Sequence, residues 1–414
     1  MHSEVAQPQS GSPSIAVLSS LFPSDAQPGA GLFIRERMFR VAGRARLVVI
    51  SPQPWFPLQS LIRLVKPNYR PPRPHRAVQQ GITVYCPRFF SMPGVLRHLD
   101  GYFMALACRG LLKRLQAERD INVIDAHFAY PDGYAATCLG RWFGLPVTIT
   151  LRGTEVPLAR EPKRRQRMLD AIASAERVFS VSQSLLDHVV RLGARSEKLE
   201  VVGNGVDTEC FYPVDQTEAR EALDIPADAK VVITVGGLVE RKGFHRVIDA
   251  IPALRRQFPN LIYLVVGGPS AEGDWTERLH SQVEQLGLQE HVRFLGPIAP
   301  SELRMPLSAA DLFVLSTRNE GWANVILESM ACGRPVIATD VGGNAEVVSN
   351  ARLGTIVPFN DPDALQDAMA QGLETAWDRE EIIEYAKSNS WDTRVEQLDR
   401  AFRQIVSHGA SSPS

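Results

Sequence analysis

At 414 residues, with 44% hydrophobic and 22% charged side chains, the chain exceeds what one ordinary hydrophobic core organises, so two domains are expected. The composition is that of a folded globular protein and excludes a fibrous or wholly disordered one. The formal net charge of −1 conceals an asymmetry: 27 Lys and Arg face 16 Asp and Glu up to Asp207, and 18 face 30 beyond it. A basic half suits anionic lipid or an anionic substrate, whereas the acidic half argues against a nucleic-acid partner. The five cysteines, Cys86, Cys108, Cys138, Cys210 and Cys332, are odd in number and lack CxxC spacing, which favours a reducing compartment over a disulfide framework or a zinc site. No run of about 18 apolar residues occurs, and the start MHSEVAQPQSGSPS lacks the basic and apolar regions of a secretory signal. Tails are expected at 1–13 and 408–414, and a cytoplasmic location, at the inner face of a membrane.

Along the chain, short apolar runs alternate with amphipathic segments, the pattern of parallel strands joined by helices. The first half offers strands at 15–20, 47–51, 123–127, 147–151, 178–181 and 199–202. The interval 55–100, rich in Pro and Arg, reads as an excursion from the sheet. No acidic residue lies between Glu36 and Asp100, while Arg63, Lys66, Arg70, Arg73, Arg76 and Arg88 accompany Trp55, Phe56, Phe89 and Phe90. Cations attracted to anionic headgroups and aromatics that settle at an interface point to peripheral membrane contact; a solvated Pro-rich loop accounts for the same residues. After a connection at 205–213, the second half offers strands at 231–235, 262–266, 292–295, 312–315, 336–338 and 355–357. Two doubly wound α/β domains, 14–207 and 208–386, follow, with ligands expected where strand ends meet helix starts.

Two loops carry the chemistry. Strand 231–235 runs into GGLVERKGF, which sets Arg241 and Lys242 before a helix near His245. Free N–H groups, the helix dipole and glycine's close approach make that an anion site. The loop is neither GxGxxG nor GxxxxGK[ST], so nicotinamide and P-loop nucleotide readings lose support. Strand 312–315 runs into STRNEGWAN, where Asn324 is a plausible N-cap for a helix over 325–330. Glu320 then lies in the loop and Glu328 near the helix start. An ionised carboxylate there can accept two vicinal hydroxyls of a sugar; a helical Glu that merely complements the dipole is the plain alternative for Glu328.

The segment EGWANVILESMACGRPVIATDVGGNAEV resembles the donor-binding block of the family 4 retaining glycosyltransferases of GT-B fold, with Glu320 and Glu328 matching its E-x7-E motif. GGLVERKGF is similar to that family's diphosphate-binding turn, and NGVDTECFYP to the start of its interdomain linker. The resemblance runs from Ile15 to Trp391. It implies two Rossmann-like domains facing across a cleft, and a nucleotide-diphosphate sugar held mainly by the C-terminal one. By that likeness Glu328 grips the ribose, Glu320 the sugar, and backbone amides near Ala323, Asn324 and Val325 the diphosphate. Gly237, Arg241, Lys242, Gly321 and Trp322 complete the donor site. Family members often carry Arg at the position of Gly237, and its absence here leaves open whether Arg241 substitutes for that cation.

In the first domain, DAHFAYPDGYAA places His127 at a strand end, matching a family histidine that touches the donor sugar. QPGAGLF resembles the family's glycine loop, so Gly31 is a further donor residue. RGTEV supplies Arg152 and Glu155 as acceptor candidates, although the family more often has Asp where Glu155 stands. The segment at 387–407 resembles a last helix that returns to the first domain, anchored by Trp391. The implied activity is that of a retaining, metal-independent, hexosyl-type glycosyltransferase of polysaccharide or cell-envelope assembly, similar to the teichuronic-acid type. Its catalytic residues would be His127, Glu320, Arg241 and Lys242, its acceptor a lipid-linked saccharide, with no cofactor beyond the donor itself. A nucleotide-sugar epimerase of the same fold and a non-catalytic sugar-nucleotide-binding protein fit the same residues.

Overall fold

The computed structural model describes residues 12–65, 69–270 and 272–410. Most of the expected tails, and Lys66, lie outside those residues. Ser12 and Pro13, expected within a tail, are buried, and Pro13 accepts a hydrogen bond from the Arg46 amide. The described chain falls into two compact units, one built from the chain up to Asn204 together with that from Arg394 onward, the other from Gly205–Thr393. These divisions fall at Asn204 and Arg394, not after Asp207 and at Lys387. Val206 and Trp391 account for the difference, because backbone hydrogen bonds join Val206 to Asn389 and Trp391 within the second unit.

The first unit contains β1 (Ser14–Leu18), β2 (Arg46–Ile50), β3 (Gln53–Trp55), β4 (Arg76–Gln79), β5 (Ile82–Tyr85), β6 (Arg88–Phe90), β7 (Val123–His127), β8 (Val147–Leu151), β9 (Arg177–Ser180) and β10 (Leu199–Val201). Eight of them form one sheet in the order β10-β9-β8-β7-β1-β2-β5-β4. Neighbours are parallel except for β4, which pairs antiparallel with β5. The interval 55–100 is therefore only partly an excursion. Val78 and Val84 alternate with polar neighbours and extend the sheet edge, whereas β3 and β6 pair as a separate parallel ribbon. The prolines that suggested a loop fall between these short strands, where they cost no ladder hydrogen bond.

The second unit contains β11 (Lys230–Val235), β12 (Leu261–Val266), β13 (Val292–Gly296), β14 (Leu312–Leu315), β15 (Val336–Thr339) and β16 (Gly354–Val357), in the order β13-β12-β11-β14-β15-β16. All are parallel, and hydrophobic cores cover both faces of the sheet, which is why these strands read as unbroken apolar runs. In each unit the strand order reverses beside the first strand, between β1 and β7 and between β11 and β14. Loops leaving the carboxyl ends of those pairs diverge and open a crevice.

The last helix, Trp391–Ala410, repeats apolar residues at Val395, Leu398, Phe402 and Ile405, a spacing that places them on one face. That face is buried in the first unit's core, where Phe402 meets Phe179 edge to face at 6.2 Å between ring centroids. Phe402→Ala should therefore destabilise the first unit by about 3–5 kcal/mol through lost burial and a residual cavity. Calorimetry checks this: an unchanged first unfolding transition would show that the helix does not support that core.

Candidate functional site

In the second unit, the loop after β11 passes Gly236 and Gly237 to a single 3-10 turn, Glu240–Lys242, and on to the helix Phe244–Gln257. Gly237 lies against Ser270. Gly243 joins turn to helix at φ 77°, and a Cβ there would sit 1.8 Å from the Ser316 carbonyl oxygen. The loop after β14 is therefore pressed against this one. The single hydroxyl proton of Thr317 is shared between the Arg241 carbonyl at 3.0 Å and Glu320 Oε1 at 3.1 Å, and Thr339 Oγ1, at the end of β15, donates to the Thr317 carbonyl at 2.6 Å. From behind, Gly342 at φ 56° lets the next loop approach so closely that a Cβ would lie 1.7 Å from the Glu320 carbonyl oxygen.

Glu320 stands at the centre of this contact. Its Oε1 accepts hydrogen bonds from Arg241 Nη1 at 3.0 Å, Lys242 Nζ at 2.6 Å and Thr317 Oγ1 at 3.1 Å, and its side chain is 10% exposed. Arg241 also donates Nη1 to the Asn319 carbonyl at 2.8 Å and grips Glu272 through Nε and Nη2 at 2.8 and 2.6 Å. The hydrogen bonds to Glu272 foremost hold Arg241 firmly protonated, and the guanidinium in turn pulls the Glu272 carboxyl below the usual range. Two cations and two carboxylates thus offset one another. Arg241 has its fork committed, whereas the Lys242 ammonium bonds one carboxylate and has N–H groups to spare.

The following helix spans Asn324–Ala331, and Ala323, not Asn324, occupies the cap without a side-chain hydrogen bond. Asn324 adopts the first helical position because Ala323 keeps extended dihedrals (φ −87°, ψ 92°). The helix start therefore presents backbone amides with no side-chain cap. Gly321 and Trp322 lead into it half-buried. Trp322 and Val325 pack on the core, and Trp322 Nε1 is enclosed without a partner. Glu328 lies on the second turn. Burial pushes its carboxyl up to about 7, against the pull of Lys242.

The first unit holds a sealed cluster at the end of β7. His127, expected to touch the donor sugar, is fully buried. Arg152 Nη2 lies 3.0 Å from its Nδ1, and because guanidinium only donates, Nδ1 accepts and Nε2 carries the proton. Nε2 faces Asp125 Oδ2 at 3.3 Å without hydrogen-bond alignment. Asp125 accepts from Thr148 Oγ1 at 2.7 Å. Arg152 also donates to Asn204 Oδ1 at 2.7 Å and stacks over Phe33 at 5.2 Å. Glu155, 1% exposed, accepts the amides of Ala129, Arg152 and Gly153 at 3.0, 3.2 and 2.8 Å. The acceptor candidates Arg152 and Glu155 are thus turned inward, because charges buried at a strand end must find partners within the fold. Gly31 starts the helix Leu32–Val41 at φ 69°.

Beside the cluster, a cavity of about 450 Å³ is lined by Ser20, Arg97, Tyr130, Asp132, Glu161 and Arg164 among others. Asp132 accepts from both the amide and the hydroxyl of Ser20, and burial raises its carboxyl to about 7. Arg37, Asp125, Asp132, Glu272 and Thr317 were missed by sequence reasoning. Two of them carried a readable signal. Asp125 and His127 share one face of a strand, and Arg37 occupies the apolar stripe of Ile34, Met38 and Val41.

Two family descriptions match the chain, "Glycosyl transferases group 1" over residues 215–389 and "Glycosyltransferase Family 4" over residues 61–210. A Bacillus subtilis (strain 168) protein named as a teichuronic acid biosynthesis glycosyltransferase, TuaC, is 30% identical over 336 residues, 79% of this chain and 80% of that protein. A D-inositol 3-phosphate glycosyltransferase of Corynebacterium urealyticum is 34% identical over 267 residues, 62% of this chain and 63% of its own length, so that match spans less than two thirds of the relative. Among solved structures, the sucrose-phosphate synthase of Thermosynechococcus elongatus superposes with a TM-score of 0.78 at 22% identity, covering 96% of this chain and 100% of that one. HepE of Anabaena in complex with UDP gives 0.72 at 20% identity, covering 95% and 100%. These likenesses establish the two-domain GT-B fold.

The buried imidazole makes a pH prediction. Burial foremost lowers the His127 pKa from 6.5 to about 4, so the unfolded chain takes up this proton before the folded one does. The stability contribution is intact above about 6.5 and is lost as pH falls through the interval to about 4. Histidine-selective nitrogen NMR should find His127 neutral, protonated on Nε2, at pH 6; an imidazolium there would refute the assignment.

Proposed function

Because the chain belongs to the group 1 glycosyltransferases, we propose that it moves a glycosyl group from a nucleotide-diphosphate sugar to a saccharide acceptor, with retention at the anomeric carbon. The observation that carries this reading is the carboxylate of Glu320, anchored through Oε1 to Arg241, Lys242 and Thr317 beside an uncapped helix start. An acid so fixed can offer its second oxygen to sugar hydroxyls without first being ordered. The donor class is supported by HepE, whose fold is shared and which has been solved with UDP and with UDP and glucose.

In this reading Glu328, once ionised, accepts the ribose hydroxyls. The amides around Gly237 and at Gly321, Ala323, Asn324 and Val325 take the diphosphate, and Trp322 closes the wall behind them. Lys242 turns its remaining N–H groups to the leaving phosphate, while Arg241 stays paired with Glu272 and keeps the loop in place. As the bond from the anomeric carbon to the diphosphate oxygen breaks, negative charge grows on the phosphate. Lys242 and the helix start stabilise it. The acceptor oxygen bonds to the anomeric carbon on the same face, and its proton passes to the departing phosphate. Neither glutamate is a nucleophile, and the protein's own cations do the work of a metal.

The cavity at Asp132 is the acceptor candidate of the first unit, with Arg97, Tyr130 and Arg164 at its walls. The buried cluster of His127, Arg152 and Glu155 positions the loops after β7 and β8. The likeness to the teichuronic acid relative favours a lipid-linked saccharide of cell-envelope assembly as acceptor. An inositol phosphate is the second acceptor to try, from the Corynebacterium relative.

A thermal-shift screen across nucleotide sugars tests the donor, since a ligand bound only by the folded form raises the midpoint. No rise with any of them would end this reading. Donor incubated alone should stay intact or hydrolyse slowly; an isomerised nucleotide sugar would make the protein an epimerase instead. Lys242→Ala should lower kcat by about 10² or more while the fold persists; wild-type turnover in that variant would remove the lysine from the mechanism.

Glu328→Gln separates binding from stability. The folded carboxyl titrates near 7 rather than 4.5, so the wild-type chain loses stability as pH rises from about 4.5 to about 7, whereas the amide does not. The variant's advantage in Tm should grow between pH 5 and pH 8, while its donor affinity falls below that of the wild type. A pH-independent Tm difference would contradict the first effect, and undiminished donor affinity the second.

A further inference from the structure

The helix Gln59–Val65 turns the wrong side outward. Leu58, Leu61, Leu64 and Val65 follow the spacing that normally marks a buried face, yet they are 69%, 56%, 80% and 82% exposed. A second apolar segment lies close by in the topology. β3 and β6 run parallel with Trp55 opposite Phe90, so the chains that leave them emerge at the same end of the ribbon. One becomes this helix; the other becomes the segment 92–96, where Met92, Val95 and Leu96 are exposed.

Behind the helix is a cavity of about 190 Å³, lined by Trp55, Gln59, Arg63, Arg70, Arg73 and Arg88 among others, with no carboxylate in its lining. Arg63, Arg70 and Arg73 donate mostly to backbone carbonyls, those of Tyr69, Arg70, Ser91 and Phe22. Carbonyls satisfy N–H groups but leave the positive charge uncompensated. Asp100, at the start of the next helix, acts on Arg70 from outside this lining. Arg73 Nε is enclosed without a partner, and Arg88 is exposed.

We propose that this edge of the first unit docks on an anionic bilayer, with Leu61, Leu64, Val65 and the 92–96 segment entering the interface and the arginine cavity taking a lipid phosphate headgroup. Apolar side chains and cations on one surface complement such a membrane on both counts. A second copy of this chain would not, because a twofold contact would set arginine against arginine. No described helix is long and apolar enough to cross a membrane, so the attachment is peripheral. The segment 92–96 runs directly into Arg97, whose carbonyl receives the Tyr130 hydroxyl at 2.6 Å at the wall of the Asp132 cavity. Docking would thus bring a lipid-borne acceptor to that cavity; this last step rests on the transferase reading, and the docking does not.

The test is co-sedimentation of the full chain with phosphatidylcholine vesicles and with the same vesicles containing phosphatidylglycerol. Partitioning should be roughly tenfold or more stronger onto the anionic vesicles, and should weaken with salt. The double variant Leu61→Ser/Leu64→Ser should lose most of it, Arg88→Gln should lower the preference for anionic lipid, and both should keep the wild-type donor thermal shift. A failed donor screen would therefore leave this result standing, and the reverse. Equal partitioning onto both vesicle types would overturn the proposal, as would a double variant that binds like wild type. So would saturable binding of inorganic pyrophosphate without vesicle binding, which would assign the cavity to a free anion. A dimer in light scattering that the double variant abolishes would assign the apolar face to self-association.

Discussion

The meeting of Lys242, Arg241 and Thr317 on one oxygen of Glu320 is the contact on which the site depends. It ties the loop after β11 to the loop after β14 across the point where the strand order reverses. Without a carboxylate there, two adjacent cations would repel one another and the glycine-rich turn would have little to hold its shape. With Glu272 as the second anion, the group is nearly neutral as it stands. In the proposed function, a diphosphate arriving at the helix start would change that balance and compete with Glu320 for the Lys242 ammonium. The site is thus fixed by electrostatics before a ligand is present, which lowers the ordering cost of binding one.

The first unit solves the same topological problem differently. Its charges at the end of β7 are closed off from solvent, with His127 and Asp125 nearly unexposed and Arg37 and Arg152 among them. Burying so many ionisable groups is costly unless each finds a partner. Most do: Glu155 collects three loop amides, and Arg152 joins His127 to Asn204. The remainder is uneven, since two nitrogens of Arg37 and Nε2 of His127 go without a hydrogen bond. Such a cluster holds the conformations of the loops after β7 and β8, and it encloses the histidine at that strand end.

The sequence made the two sheets readable because parallel strands buried on both faces are continuous apolar runs, and every such run became a strand. The four short strands between 53 and 90 were hidden, because they are only three or four residues long, Pro- and Arg-rich segments surround them, and β3 finds its partner β6 far along the chain. Glu320 and Glu328 stood out in the sequence as a pair of acids at a loop and helix start, and the family resemblance attached a role to them. The partners of Glu320 were less legible: Thr317 and Glu272 reach the site only through the close approach of loops that Gly243 and Gly342 permit. The cap of the helix at 324 was misplaced by one residue because Asn is a good capping residue and Ala a poor one. Backbone packing of the preceding loop outweighed that preference. His127 was read as ligand-facing because strand ends usually are, and the buried charges that enclose it, Asp125 and Arg152, come from neighbouring strand positions and a different strand.

The division of charge along the chain fits this contrast between the units. The half beyond Asp207 carries 30 acidic and 18 basic side chains, a field that disfavours both an anionic diphosphate and an anionic bilayer at long range. Such a half can attract a diphosphate only through local geometry, by concentrating Lys242 and a helix N-terminus within one turn of each other. The half before it has the opposite balance, and between Glu36 and Asp100 it has no acid at all. Within that interval Arg63, Arg70 and Arg73 bond mainly to neutral carbonyls, so their charge is not consumed by ion pairs with neighbouring carboxylates. Local placement of cations in the acidic unit and unpaired excess in the basic one are two ways of handling anions. The first suits a small ligand held at short range, the second an extended surface sensed from a distance.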